Sequence, residues 1–315
     1  MRKKLVLHIG QYKTGSSSIQ TFLFENNEFL ASQGIHYCQT GLAYSEPHIG
    51  VRHYHLMHRT KSDTCLWDEL TAEIDSSELD TFVVSYENML SGLNADKVQY
   101  IANKLRNFDV SVVCYLRRQD LFISSWYGEL IKNHKCKMDI EDFLKKYRFL
   151  CNYGSALKRW KKAFPNATYH ICNFDSLRAI GTDVVTHFLG IFNKSAPDGY
   201  CSINANLSLS GRAASEMLSF NRSIDTSSEI HRKVSDLLSL TFRGDGKLSM
   251  LNSFESKEFC EGFASENNLL YSLAGSSFSP FECVSEDIEK TDFYSVDVGS
   301  ELSALVSIVE NSSDR

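Results

Sequence analysis

The chain lacks any excess of basic residues: 33 Lys and Arg stand against 39 Asp and Glu, a formal net charge of −6. Binding a nucleic-acid backbone calls for the opposite balance, so no nucleic-acid partner is expected, while a local basic cleft stays compatible with the total. No C-x-x-C pair occurs, and the nine cysteines lie singly from Cys38 to Cys283. That odd, dispersed set fits neither a disulfide framework nor a zinc site and reads as buried thiols in a reducing compartment. His48, His53, His55 and His58 contain no H-x-x-x-H pair, so no metal is expected there. No segment approaches the roughly 20 apolar residues of a membrane span, and the apolar run in "MRKKLVLHIG" is too short for a signal peptide. A cytoplasmic protein with no membrane span is the resulting expectation. Internal repeats are absent as well. What is there is ordinary: 43% hydrophobic and 23% charged residues over 315 positions, enough for one large core or two smaller ones.

The informative stretch is "LVLHIGQYKTGSSSIQTFLF", residues 5–24. An apolar run, Leu5–Ile9, has strand character and stops at Gly10. A polar loop with Lys13, Thr14, Gly15 and the serines Ser16, Ser17 and Ser18 leads into an apolar-periodic helix. The N–H groups of a helix start have no intrahelical partner, and the helix dipole adds positive potential, so the arrangement is an anion cradle. It is not the triphosphate loop G-x-x-x-x-G-K-[ST]: Gly10 and Gly15 have that spacing, but Ser16 occupies the lysine position and the lysine sits inside the loop at 13.

A second constellation is "SVVCYLRRQDLFISSWYGELIK", residues 111–132. Ser111–Leu116 reads as a buried strand ending at Arg117 and Arg118. A helix follows, with Asp120 as its expected N-cap and Ser125 about two turns beyond Arg117. Arg117 and Ser125 can grip one anion from two sides. Ligands of parallel α/β sheets bind outside the carboxyl ends of the strands. Both elements are therefore expected at one crevice, which suits a ligand carrying phosphates at both ends.

These two segments resemble the PAPS-dependent sulfotransferases, and among them the bacterial carbohydrate-type group. "YKTGSSS" is similar to the family's 5′-phosphosulfate loop. "LRRQDLFISSWY" is similar to its 3′-phosphate element, with Arg117 and Ser125 at the family's eight-residue separation. Gln11-Tyr12 stand where a proline often precedes the lysine, and Arg118-Gln119 where many members carry Asn-Pro; these departures bear on the subfamily more than on the family. The resemblance covers roughly residues 3–190. It implies that PAPS is the co-substrate and that no metal is needed. Lys13, Thr14, Gly15, Ser16 and Ser17 would hold the 5′-phosphosulfate, Arg117 and Ser125 the 3′-phosphate. Lys13 would stabilise the leaving phosphate. Glu87, in "FVVSYENML" after the Thr81–Ser85 strand, would be the general base, with His53 or His55 as substitutes for that role. The acceptor would be a hydroxyl of a carbohydrate, a glycolipid or a small molecule. Two other readings are a nucleoside-triphosphate-dependent kinase on a P-loop-like fold and a catalytically inactive PAPS- or PAP-binding protein.

The remaining pattern predicts an α/β fold, a parallel sheet flanked by helices (the P-loop-like sulfotransferase fold) with a helical C-terminal part. Strands are expected at 5–9, 81–85, 111–116 and 168–172. Helices are expected at 18–30, 95–108, 121–132, 139–147, 153–164, 210–221, 229–242 and 256–270, with a loop-rich insertion at 41–63. One domain over 1–275 is expected, with 200–275 as a helical subdomain and 276–315 as an acidic, serine-rich, partly disordered tail. Trp126 and Tyr127 are expected in the core more than against an adenine.

Overall fold

The computed structural model describes residues 2–43, 51–58, 64–201, 208–276, 278–284 and 287–293. The chain divides into two compact units, one of residues 1–118, 152–204 and 264–281, the other of 119–151, 205–263 and 282–315.

The first unit is an α/β layer structure. Among the described residues its five strands, β1 (Lys4–His8), β2 (Ile35–Tyr37), β3 (Thr81–Ser85), β4 (Asp109–Leu116) and β5 (Thr168–Asn173), form an all-parallel sheet in the order β2-β3-β1-β4-β5. Continuous apolar strands such as "KLVLH" and "TFVVS" are what a sheet covered on both faces requires. Alternate side chains serve the two faces. Leu5, Leu7, Phe82, Val84, Val112 and Cys114 pack with Trp67, Ile74, Val98, Leu157, Trp160 and Leu270. Val6, Val83, Val113 and Tyr115 pack with Ile19, Phe22, Leu23, Phe188 and Leu189. β1 lies between β3 and β4. The chain leaves β1 toward β2 on one side and leaves β4 toward β5 on the other, so β1 and β4 border the switch point where such sheets place their ligands.

Several expected boundaries shift. The helix expected at 18–30 is two helices, Ser16–Glu25 and Asn27–Ser32, parted at Asn26, whose side chain donates to the Phe22 carbonyl. The helix expected at 256–270 is Ser253–Glu261 followed by Ala264–Ala274, parted at Gly262 and Phe263. The helix after Arg118 begins at Gln119, so Asp120 sits in its first turn and is not its cap. The short edge strand Ile35–Tyr37 and the helices Thr64–Ser76 and Val184–Gly190 were not expected.

The second unit is helical. Gln119–Asn133 packs with Ile140–Tyr147, Gly211–Ser223, Ser228–Thr241 and Ser253–Glu261. Tyr127 is fully buried and its hydroxyl donates to the Met138 carbonyl, a core position as expected. Part of the tail is ordered here: Thr291 N–H donates to Ser249 O, Ile288 N–H to Ser253 Oγ, and Lys290 pairs with Glu255. Residues 294–315 lie outside the described residues.

Candidate active site

The loop between β1 and the Ser16–Glu25 helix continues the sheet before it turns. Gln11 N–H donates to Tyr115 O and Tyr115 N–H to Gly10 O, both at 2.8 Å, so the loop leaves beside the end of β4. Lys13 (φ 62) and Gly15 (φ 78) adopt the left-handed conformation that turns the chain into the helix. The Gln11 carbonyl accepts from Thr14 Oγ1 at 2.6 Å and from Ser16 Oγ at 3.1 Å. Thr14 is fully buried, so these two hydroxyls shape the loop from inside. Ser17 is exposed, and Lys13 and Gly15 are half-buried. In the first helical turn the N–H groups of Ser16 and Ser17 have no intrahelical acceptor.

Arg117 leaves β4 two residues beyond Tyr115. Its Nε donates to Asp175 Oδ1 at 3.2 Å, while Asp175 Oδ2 accepts from Arg118 N–H at 3.1 Å. Tyr153 Oη donates to the Arg117 carbonyl at 2.9 Å. With Nε taken, the two Nη groups are the donors left to a ligand. The Arg117 guanidinium stands 6.0 Å from the Phe174 ring centroid, and a Cβ at Gly15 would lie 3.4 Å from the same ring. The cradle and Arg117 thus flank one aromatic side chain. Ser125 is half-buried on the Gln119–Asn133 helix, in the second unit.

Glu87 follows β3 and is 5% exposed. Its backbone runs against Gly10: a Cβ there would lie 2.3 Å from the Glu87 carbonyl oxygen. Tyr86 N–H donates to His8 O and Leu90 N–H to Ile9 O, locking the two chain segments together. The carboxylate is gripped at both oxygens. Arg52 Nη1 donates to Oε1, and Gln20 Nε2, from the helix of the cradle, donates to Oε2 at 2.9 Å. A carboxylate this buried requires such compensation. Arg52 also stands 5.8 Å from the Tyr86 ring. Burial raises the Tyr86 phenol to about 12, and burial, with the Tyr86 and Glu87 charges, raises Tyr12 well above its ordinary value. No local sequence pattern marks Gln20 or Asp175 for these contacts, whose partners lie 67 and 58 residues away.

The histidines divide. His48 lies outside the described residues. His53 is fully buried: Ser85 N–H donates to its Nδ1 at 3.1 Å, which leaves the proton on Nε2 to donate to Cys38 O at 2.9 Å. Burial lowers its pKa to about 4. With both nitrogens committed to backbone, His53 is a structural residue, and its expected role as substitute base is withdrawn. His55 is half-buried with its ring edge-on to Tyr54, and His58 stacks on Tyr54 with its Nε2 2.6 Å from Tyr86 Oη. Among the described residues no three His, Cys, Asp or Glu side chains gather to hold a metal, and no helix is long and apolar enough to cross a membrane.

No protein-family profile matches the sequence. The chain is 32% identical over 213 residues to a protein of Archaeoglobus fulgidus described as uncharacterized; the match takes in 66% of this chain and 57% of the archaeal protein's length. Among solved structures, a sulfotransferase from Alicyclobacillus acidocaldarius superposes on 76% of this chain and 96% of its own, with a TM-score of 0.40 and 14% identity. A likeness that low says nothing about the site.

Proposed function

We propose that the protein is a sulfotransferase that takes a sulfuryl group from PAPS and gives it to a hydroxyl of a carbohydrate-type acceptor. The observation that carries the reading is the placement of the Lys13 loop and Arg117 at the ends of adjacent strands. The Lys13 loop and Arg117 leave the sheet side by side and flank Phe174, with the Glu87 carboxylate beside the same loop.

PAPS, when bound, supplies a sulfuryl group on a phosphate leaving group. The residues present fit it. Lys13, the N–H groups of Gly15–Ser17 and the exposed Ser17 hydroxyl suit the 5′ end, with Thr14 and Ser16 holding the loop in shape. The Nη groups of Arg117, oriented by Asp175, suit the 3′-phosphate, with Ser125 assigned by its spacing. Sulfuryl transfer resembles phosphoryl transfer in its loose transition state, so the protein's share is positioning and charge neutralisation. Lys13 and the loop N–H groups neutralise charge on the departing phosphate oxygen. Glu87 takes the acceptor's hydroxyl proton as its oxygen bonds to sulfur.

Calorimetric titration with PAP, without added metal, tests the cofactor. Saturable binding that collapses in Arg117→Ala and Lys13→Ala is expected. Binding of magnesium–ATP in place of PAP would overturn the reading in favour of a kinase. PAP binding with no sulfuryl transfer to any glycan acceptor would leave a binding protein.

A further inference from the structure

Glu87 is held from behind by a line of buried polar groups that the transfer reaction does not itself require. Gln20 Nε2 carries two hydrogens, and both are spent: one on Glu87 Oε2 at 2.9 Å, the other on Ser85 Oγ at 3.1 Å. The Ser85 hydroxyl, accepting from Gln20, has its own hydrogen to place, and His8 Nδ1 lies 2.7 Å away. His8 is fully buried against the edges of Tyr115 and Phe188, and burial lowers its pKa to about 3, so the ring is neutral; with Ser85 Oγ accepting from Gln20, the tautomer with Nδ1 as acceptor is the one that gives the serine hydrogen a partner. Among the described residues His8 Nε2 has no hydrogen-bond partner. The line therefore has one self-consistent direction: Gln20 donates to Glu87 and to Ser85, and Ser85 donates to His8. Gln20, Ser85 and His8 are 3%, 0% and 0% exposed.

An amide whose two donors are both engaged cannot turn without losing both bonds, and its oxygen offers Glu87 nothing but repulsion. Resting on the reading of Glu87 as the base, we propose that Gln20 is a positioning residue. It ties the rotamer of the base to the sheet through Ser85 and His8, leaving Arg52 to compensate the carboxylate's charge. The same helix that begins at the anion cradle carries Gln20. One rigid element thus aligns the donor's leaving group and the acceptor's base, and a base held by a loop alone would lose that register.

The test is a double-mutant cycle on the full-length protein. Gln20→Met keeps the length of the side chain and removes both donors. It should lower kcat on the order of a hundredfold, the loss typical of an ångström-scale misplacement, while KM for PAPS and the affinity for PAP stay at parent values. In a Glu87→Gln background the same change should cost almost nothing further, because Gln20 acts only through Glu87. Gln20→Asn, too short to reach both partners, serves as the second variant if Gln20→Met folds poorly. Independently of turnover, protein labelled with 13C at the glutamate carboxyl should show one resonance that disappears in Glu87→Gln and moves in Gln20→Met. Additive losses in the cycle, or an unmoved Glu87 resonance, would overturn the positioning role. A resonance that moves in a protein with no sulfuryl transfer would leave the contact standing and refute the proposed function.

Discussion

Gly10→Ala is the sharpest test of how the fold places Glu87. The native φ at Gly10 is +130°, a conformation closed to L side chains, and the added Cβ would meet the Glu87 carbonyl oxygen at 2.3 Å. Ordinary contact begins near 3.4 Å, so the two segments must part by roughly 1 Å, against the Tyr86–His8 and Leu90–Ile9 backbone hydrogen bonds that hold them. Backbone strain of about 1–3 kcal/mol adds to about 1–3 kcal/mol for overpacking, a loss of roughly 2–6 kcal/mol. Gly181→Ala is the control: its φ is +67° with nothing within 4 Å, so it carries only the left-handed penalty of about 1–2 kcal/mol. Urea unfolding of both variants measures the difference, which is the steric contribution at Gly10. If Glu87 is the base proposed above, turnover of the folded fraction of Gly10→Ala should fall on the order of a hundredfold as that carboxylate shifts. Equal destabilisation by the two substitutions would refute the close approach on which the placement of Glu87 rests.

Asp175→Ala frees the Arg117 guanidinium and should weaken PAP binding roughly tenfold, about the 1.5 kcal/mol of one charge-assisted hydrogen bond; parent-like calorimetry would show that Arg117 needs no orienting partner. Arg52→Ala leaves the Glu87 carboxylate buried without its cation. The cost should approach about 3–5 kcal/mol, reduced because the Arg52 side chain is 25% exposed, and denaturant midpoints report it. The pH dependence of stability should show two acid limbs. His53 and His8 protonate near 6.5 when unfolded but at about 4 and about 3 when folded. The unfolded state therefore binds more protons in that window, and stability is full above pH 6.5 and falls toward pH 4 and then 3. His53 alone accounts for on the order of 3 kcal/mol at 1.36 kcal/mol per unit. Burial works to raise the Glu73 pKa, but hydrogen bonds from His36, Thr40 and Gln39 outweigh it and bring it to about 2. Its contribution is present above pH 4.5 and is lost as pH falls toward 2. His53→Asn should shrink the first limb by the His53 share and leave the His8 share, and Glu73→Gln should flatten the second, read from urea midpoints across pH; a limb unchanged by its substitution would refute that assignment.

What the sequence by itself determined is local. Parallel strands announce themselves as short, continuous apolar runs, and Thr81–Ser85 was legible to the residue because the polar Asp80 precedes it and Glu87-Asn88 follow close behind. The turn from β1 into the Ser16–Glu25 helix was legible because Gly10 and Gly15, both at positive φ, stand between an apolar strand and an apolar-periodic helix. The three-residue strand Ile35–Tyr37 escaped, being too short for a periodicity to register. The break at Asn26 escaped because the apolar spacing runs on across it. The tertiary structure alone decided which side chains meet. The strand order β2-β3-β1-β4-β5 sets Arg52 and Gln20 on Glu87 and Asp175 on Arg117 across 35, 67 and 58 residues of chain. It also buries His53 with both nitrogens committed. Burial and pairing belong to the packed sheet and not to any window of sequence, and they set the doubly held Glu87 carboxylate apart from the backbone-committed His53.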